Sequence, residues 1–132
     1  MKRKTILIFI AVVLASCEYK DLRTSVSVLI GKWKLIETLV DPGDGSGTFT
    51  NVSSNKMISF YSDSIFYSNG SMCQMSINSD HSTEGTYSPK QKTITPVGCA
   101  SSELPIHYEI KDEYLIVYYR CDEGCAEKYI MD

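Results

Sequence analysis

Residues 106–119 read IHYEIKDEYLIVYY. Folded back at Asp112-Glu113, the stretch pairs Ile110 with Leu115, Tyr108 with Val117 and Ile106 with Tyr119. Alternate side chains of a strand point to opposite faces. One face of this hairpin is therefore wholly apolar and aromatic. The other carries His107, Glu109, Lys111 and Arg120 beside Ile116 and Tyr118. A mostly apolar inner face and a mixed outer face suit the wall of an antiparallel barrel.

The same pattern extends back to Lys32. KWKLIETLV (32–40) is apolar and β-branched, and DPGDGSG (41–47) is a loop by composition. KMISFYS (56–62), SIFYSN (64–69) and MCQMSI (72–77) follow at close spacing. Asn69-Gly70-Ser71 between two such runs signals a hairpin. TEGTYS (83–88) and KTITPV (92–97) come next, split by Pro89, and AEKYIMD (126–132) closes the chain. Helical periodicity is absent from Lys32 onward. Short consecutive strands joined by tight turns predict an up-and-down meander. A meander this long must close or leave exposed edges. The expected fold is all-β: a small eight-stranded antiparallel up-and-down barrel, with one helical turn (SVSVLIG, 25–31) before the first strand.

The chain opens MKRKTILIFIAVVLASC. Lys2, Arg3 and Lys4 form a basic region, and Ile6 to Val13 form an apolar run too short to span a bilayer, which takes about 20 residues. Leu14-Ala15-Ser16-Cys17 then resembles the lipobox of bacterial lipoproteins. The resemblance implies cleavage after residue 16 and acylation of Cys17. The expected organisation is a signal peptide at 1–16, a lipidated tether at 17–28 and one domain at 29–132. A membrane partner would be reached through the lipid anchor, since more than one acyl chain gives stable attachment. The whole chain has 13 basic and 16 acidic residues, a net charge of −3. Loss of Lys2, Arg3 and Lys4 with the signal takes this to −6. Such a balance argues against nucleic acid as a partner.

Export places Cys73, Cys99, Cys121 and Cys125 in an oxidising compartment, where thiols pair. Four cysteines allow three connectivities. The spacing of CDEGC (121–125) argues against redox catalysis. Three residues separate the thiols, the flanks are strand-like, and Asp122 and Glu123 would raise a thiol pKa. Zinc would need two further ligands, and His81 and His107 each stand alone, so no metal site is expected. A staple has a geometric basis. Asp122-Glu123-Gly124 fits a three-residue hairpin loop with glycine at the left-handed position, setting Cys121 opposite Cys125. Cys73 would then pair with Cys99.

At Gly31-Lys32-Trp33 the sequence resembles the G-x-W of the lipocalins. GKWKLIETLVDPGDGSGTF, the stretch Ser-Asn-Gly-Ser-x-Cys at 68–73 and CDEGCAEKYI at 121–130 resemble the small lipocalin-like lipoproteins of Bacteroidetes-type bacteria. The resemblance covers Leu29 to Asp132. It implies a barrel with an apolar ligand cavity, closed at its base by Gly31 and Trp33, with Lys128 packed over the indole as a cation–π contact. The lipocalin T-D-Y motif and C-terminal helix are missing from this chain.

No catalytic motif is present: no G-x-S-x-G, no phosphate loop and no H-E-x-x-H. Asp41 and Asp44 lack the alternation of a calcium loop, and 41–49 reads as a flexible lid over the barrel mouth. Nine tyrosines and four phenylalanines suit half-buried strands. Trp33, Phe60, Tyr108, Val117 and Tyr119 are the inward-facing candidates for contact with a ligand. The function expected is non-enzymatic binding of a small apolar or amphipathic molecule, without cofactor, by a monomer anchored at the outer membrane of the cell envelope. The alternative is an interaction module with a filled barrel, meeting a protein or glycan through its loops.

Overall fold

Alternation of buried and exposed side chains builds this sheet. The computed structural model describes residues 27–132. The signal segment, Cys17 and the tether up to residue 26 lie outside the described residues. Nine strands occur among those described: β1 (Gly31–Val40), β2 (Phe49–Asn51), β3 (Met57–Phe60), β4 (Ile65–Ser68), β5 (Thr83–Ser88), β6 (Thr93–Pro96), β7 (Ile106–Lys111), β8 (Tyr114–Tyr119) and β9 (Cys125–Met131). All pairings are antiparallel, in the order β2-β1-β3-β4-β5-β6-β7-β8-β9, and β1 also pairs with β9. The ring of β1 and β3–β9 is thus a closed eight-stranded barrel. Residues 27–29 are helical, as SVSVLIG suggested.

The hairpin of residues 106–119 forms in the expected register, with Ile110 opposite Leu115 and Tyr108 opposite Val117. Asp112 and Glu113 both adopt positive φ, 50° and 71°, as a two-residue turn that follows strand twist requires. Inside, Ile106, Tyr108, Leu115, Val117 and Tyr119 join one hydrophobic cluster with Trp33, Leu35, Ile58, Phe60, Phe66 and Tyr129.

β1 serves two neighbours along one edge. Its first half pairs with β3 and its second half with β2. A bulge between Leu35 and Glu37 separates the halves and shifts the inward phase from Trp33 and Leu35 to Thr38. The short β2 was not foreseen, because FTN follows the glycine-rich loop without a run of its own.

MCQMSI is not a strand, and Asn69-Gly70 is not a hairpin turn. β4 pairs instead with β5, so residues 69–82 form one long connection outside every ladder. The physical reason lies in where its backbone donors go. The N–H groups of Gly70, Met72, Cys73, Ser76 and Asn78 donate to side chains: Ser68, Thr83, Ser71, Glu127 and Ser76. Ser-rich flanks offer the backbone these local partners and compete with sheet pairing.

The registers define two barrel ends. β1 begins at one end, with the β3–β4, β5–β6 and β7–β8 turns. Residues 41–48, 69–82, 97–105 and 120–124 gather at the other. Both disulfides, Cys73–Cys99 and Cys121–Cys125, sit at this second end.

CDEGC forms the expected bond by a different geometry. Tyr119, not Cys121, lies opposite Cys125, so the β8–β9 connection spans the five residues 120–124. Gly124 is not among the positive-φ glycines. Its carbonyl accepts the Asp41 N–H at 2.8 Å, which ties the loop to β1 rather than closing a tight turn.

Candidate functional site

Along β9 the inward positions are Cys125, Glu127 and Tyr129, so strand alternation places a carboxylate inside the barrel. Glu127 is fully buried, and so is Lys56, which enters just before β3. Lys56 Nζ donates to both Glu127 oxygens at 2.9 Å and to the Ser76 carbonyl at 3.0 Å. Glu127 Oε1 also accepts the Ser76 N–H at 2.9 Å. Glu127 Oε2 accepts the Tyr119 hydroxyl at 2.7 Å and the Tyr129 hydroxyl. Among the described residues, no buried side-chain nitrogen or oxygen lacks a partner.

Electrostatics follow from this enclosure. Desolvation pulls the Lys56 ammonium below its ordinary pKa, opposed by the Glu127 charge and hydrogen bond. Burial drives the Tyr119 and Tyr129 phenols well above theirs, and Glu127 adds to both shifts. Both hydroxyls thus remain protonated donors.

Residues 69–82 roof this cluster. Met72 is fully buried in the core, with its sulfur 3.5 Å from the Tyr119 hydroxyl. Cys73 joins Cys99, and Ser76 rests on the ion pair through both its backbone groups. Gly70 allows the approach: a Cβ there would meet the Asn78 carbonyl at 2.4 Å and Lys56 Cγ at 2.8 Å.

All five inward candidates are buried in the shared core. Phe60 contacts the Tyr87 ring edge-on at 5.0 Å and lies 6.2 Å from Phe66 and 6.4 Å from Tyr108. Burial pushes the Tyr108 phenol up to about 12, with Tyr87 adding to it. Tyr119 reaches the polar cluster, and Val117 is opposite Glu127 in the ladder. Trp33 stands apart, near the other end, donating its indole N–H to the Leu29 carbonyl at 2.8 Å. Gly31, at φ 141°, begins β1 beside Met131.

Lys128 does not cover Trp33. It is paired with Glu37 across the β1–β9 ladder, while Trp33 is opposite Met131. Strand alternation also turns Lys128 away from the interior that holds Trp33. Its ammonium bonds the Glu37 carboxylate and lies 4.2 Å from the Phe49 ring centroid and 5.6 Å from that of Tyr114.

Loop 41–47 is folded about Asp41, whose carboxylate accepts the N–H groups of Gly43, Gly45 and Gly47 at 2.7, 3.0 and 2.9 Å. These bonds, Gly47 first, lower the Asp41 pKa. Among the described residues, no group of three or more His, Cys, Asp or Glu could hold a metal ion. A groove of about 420 Å³ lies at the Trp33 end, bordered by Val28, Tyr114, Ile130 and Met131.

Lys56, Glu127 and Ser76 were not singled out from sequence. Glu127 had a legible signal, since it lies two residues from Tyr129 on a closing strand. Lys56 and Ser76 had none, because only the tertiary fold sets them against β9. Comparison with protein-family models, curated proteins and solved structures finds no match to this chain.

Proposed function

We propose that the protein is a lipid-anchored component of the bacterial cell envelope whose barrel binds a small amphipathic molecule without chemical change. The observation that supports binding is the Lys56–Glu127 pair with the Tyr119 and Tyr129 hydroxyls, set inside a mostly apolar barrel. A buried ion pair is a poor device for stability, since apolar residues of the same volume often serve as well or better. Ligand sites combine an apolar lining with a few convergent polar groups, and this interior has that composition. The lipocalin-like resemblance of GKWKL and CDEGCAEKYI supports the same reading, and LASC at 14–17 supports the anchor.

Two observations favour the filled-barrel alternative, the first being that every buried side-chain nitrogen and oxygen among the described residues already has a partner. The second is that Phe60, Tyr87 and Tyr108 pack on one another rather than line a gap. That interaction module would meet its partner through exposed side chains such as Tyr61, Ile65 and Tyr67.

Native mass spectrometry of protein purified from its own host separates the two readings. A stoichiometric small molecule leaving with the folded chain is expected. Unliganded protein throughout would favour the filled barrel. For the anchor, Cys17→Ser is expected to move the protein from the membrane fraction to the soluble fraction. Retention in membranes would reject acylation at Cys17.

A further inference from the structure

The connection 69–82 places in the barrel what an amphipathic ligand would place there. Its apolar part is Met72, fully buried among core side chains. Its polar part is the backbone of Ser76, which accepts from the Lys56 ammonium and donates to the Glu127 carboxylate. Asn69 stays bonded to Met57 of β3, and the segment beyond it joins no strand ladder, so residues 70–82 can lift without breaking the barrel wall. Its fastenings are the bonds of Asn69 to Met57 and Asn55 at its start, the Cys73–Cys99 bond, the Thr83 hydroxyl on Gly70 and Met72, and the Ser54 hydroxyl on the Ile77 carbonyl.

We infer that residues 69–82 are a displaceable strap acting as an internal ligand, and that the site beneath takes an apolar chain ending in a neutral head with both a hydrogen-bond donor and an acceptor, such as a carboxamide. The inference rests on the binding reading above and adds where the head sits and which heads fit. The apolar chain replaces Met72 beside Tyr119. The head replaces the Ser76 peptide group, its oxygen on Lys56 and its N–H on Glu127. A carboxylate head would face Glu127 without a proton to donate. An ammonium head would face Lys56 without a lone pair to offer.

The test uses the mature chain with both disulfides intact and, in parallel, Cys73→Ser/Cys99→Ser, in which the strap is untethered. Each is titrated with decanamide, decanoate and decylamine at equal concentration. Binding is read by native mass spectrometry. Strap release is read by hydrogen exchange on peptides covering 69–82, with peptides covering 106–131 as the barrel control. Decanamide is expected to raise exchange over 69–82 at least about fivefold, more in the untethered variant, with 106–131 unchanged. The charged probes are expected to do much less. In Glu127→Gln the side-chain amide can donate as well as accept, so the preference for decanamide over decanoate should shrink. The comparison of three heads on the unmutated chain stands whether or not Glu127→Gln folds. Decanamide that binds without moving 69–82, or a response equal for all three heads, overturns the strap subsite and leaves the general binding reading standing. Exchange rising equally over 106–131 signals unfolding and also overturns it. No probe bound to either protein overturns both.

Discussion

At Glu127 four groups converge on one carboxylate: the Lys56 ammonium, the Ser76 N–H and the hydroxyls of Tyr119 and Tyr129. Truncation to alanine takes the shared acceptor from all four in a buried site and leaves the Lys56 ammonium only the Ser76 carbonyl and a longer contact with Tyr119. Glu127→Ala is therefore expected to cost ~3–5 kcal/mol, measured from urea midpoints. Lys56→Met takes away the cation that bonds both oxygens but leaves the carboxylate three neutral donors, the Ser76 N–H and the two tyrosine hydroxyls. It should be the milder variant by at least ~1 kcal/mol. A larger loss for Lys56→Met than for Glu127→Ala would mean that the lysine, not the carboxylate, organises the cluster. The indole of Trp33 is a simpler case. Trp33→Phe loses its buried bond to the Leu29 carbonyl and should cost ~1–3 kcal/mol.

At the scale of elements, the two disulfides act on connections of different length. Cys73–Cys99 spans 26 residues of sequence and Cys121–Cys125 spans 4. The chain-entropy account assigns about 3.5 kcal/mol to the first and about 2 kcal/mol to the second. Separate Cys-to-Ser pairs, unfolded in urea, are expected to follow that order. A larger loss at Cys121–Cys125 would show that native-state geometry outweighs loop entropy. Strand contacts are equally specific. A Cβ at Gly85 would meet the Thr95 carbonyl at 2.2 Å and the Phe66 ring at 2.9 Å. Gly85→Ala must therefore part β5 from β6, at about 1–3 kcal/mol of overpacking, read as a lowered urea midpoint. Most elements were legible beforehand because alternation and turn residues are local properties. TEGTYS is β5 residue for residue, and the Asp112-Glu113 turn is where the pattern placed it. MCQMSI differs from the expectation because a six-residue stretch with four apolar residues looks the same on a strand as on a strap whose N–H groups bond side chains.

For the whole molecule, alkaline pH is the condition that tests the core. Burial raises the Tyr108 phenol to about 12, and raises Tyr119 and Tyr129 well above the ordinary value. An unfolded tyrosine ionises near about 10. A folded pKa above the unfolded one means stability that is complete below the unfolded value and is lost as pH climbs through the folded value. Lys56 acts with the opposite sign, because burial lowers it, but its window closes at its ordinary value of 10.5. Above that point the tyrosines decide. The protein is expected to lose stability above pH 10.5, where the Lys56 contribution has ended, with phenolate absorbance and loss of β-sheet signal rising together for the buried rings. Full tyrosine ionisation with the barrel intact would contradict the buried placement.

What the sequence determined by itself was the all-β class, the barrel closure, most strand positions, the buried candidates and the two disulfide pairings. The class and strand positions depend on side-chain period and turn chemistry, which are short-range; closure follows from the need to leave no exposed edge, and the pairing of Cys73 with Cys99 from the cysteines left once Cys121 meets Cys125. Only the tertiary structure decided that Lys128 meets Glu37, Phe49 and Tyr114 rather than Trp33, and that Lys56 and Glu127, 71 residues apart, share one buried site under Ser76. The bulge in β1 and the strap across the far end set those contacts. Each is a consequence of how distant strands are registered, and registration is settled by closure of the ring.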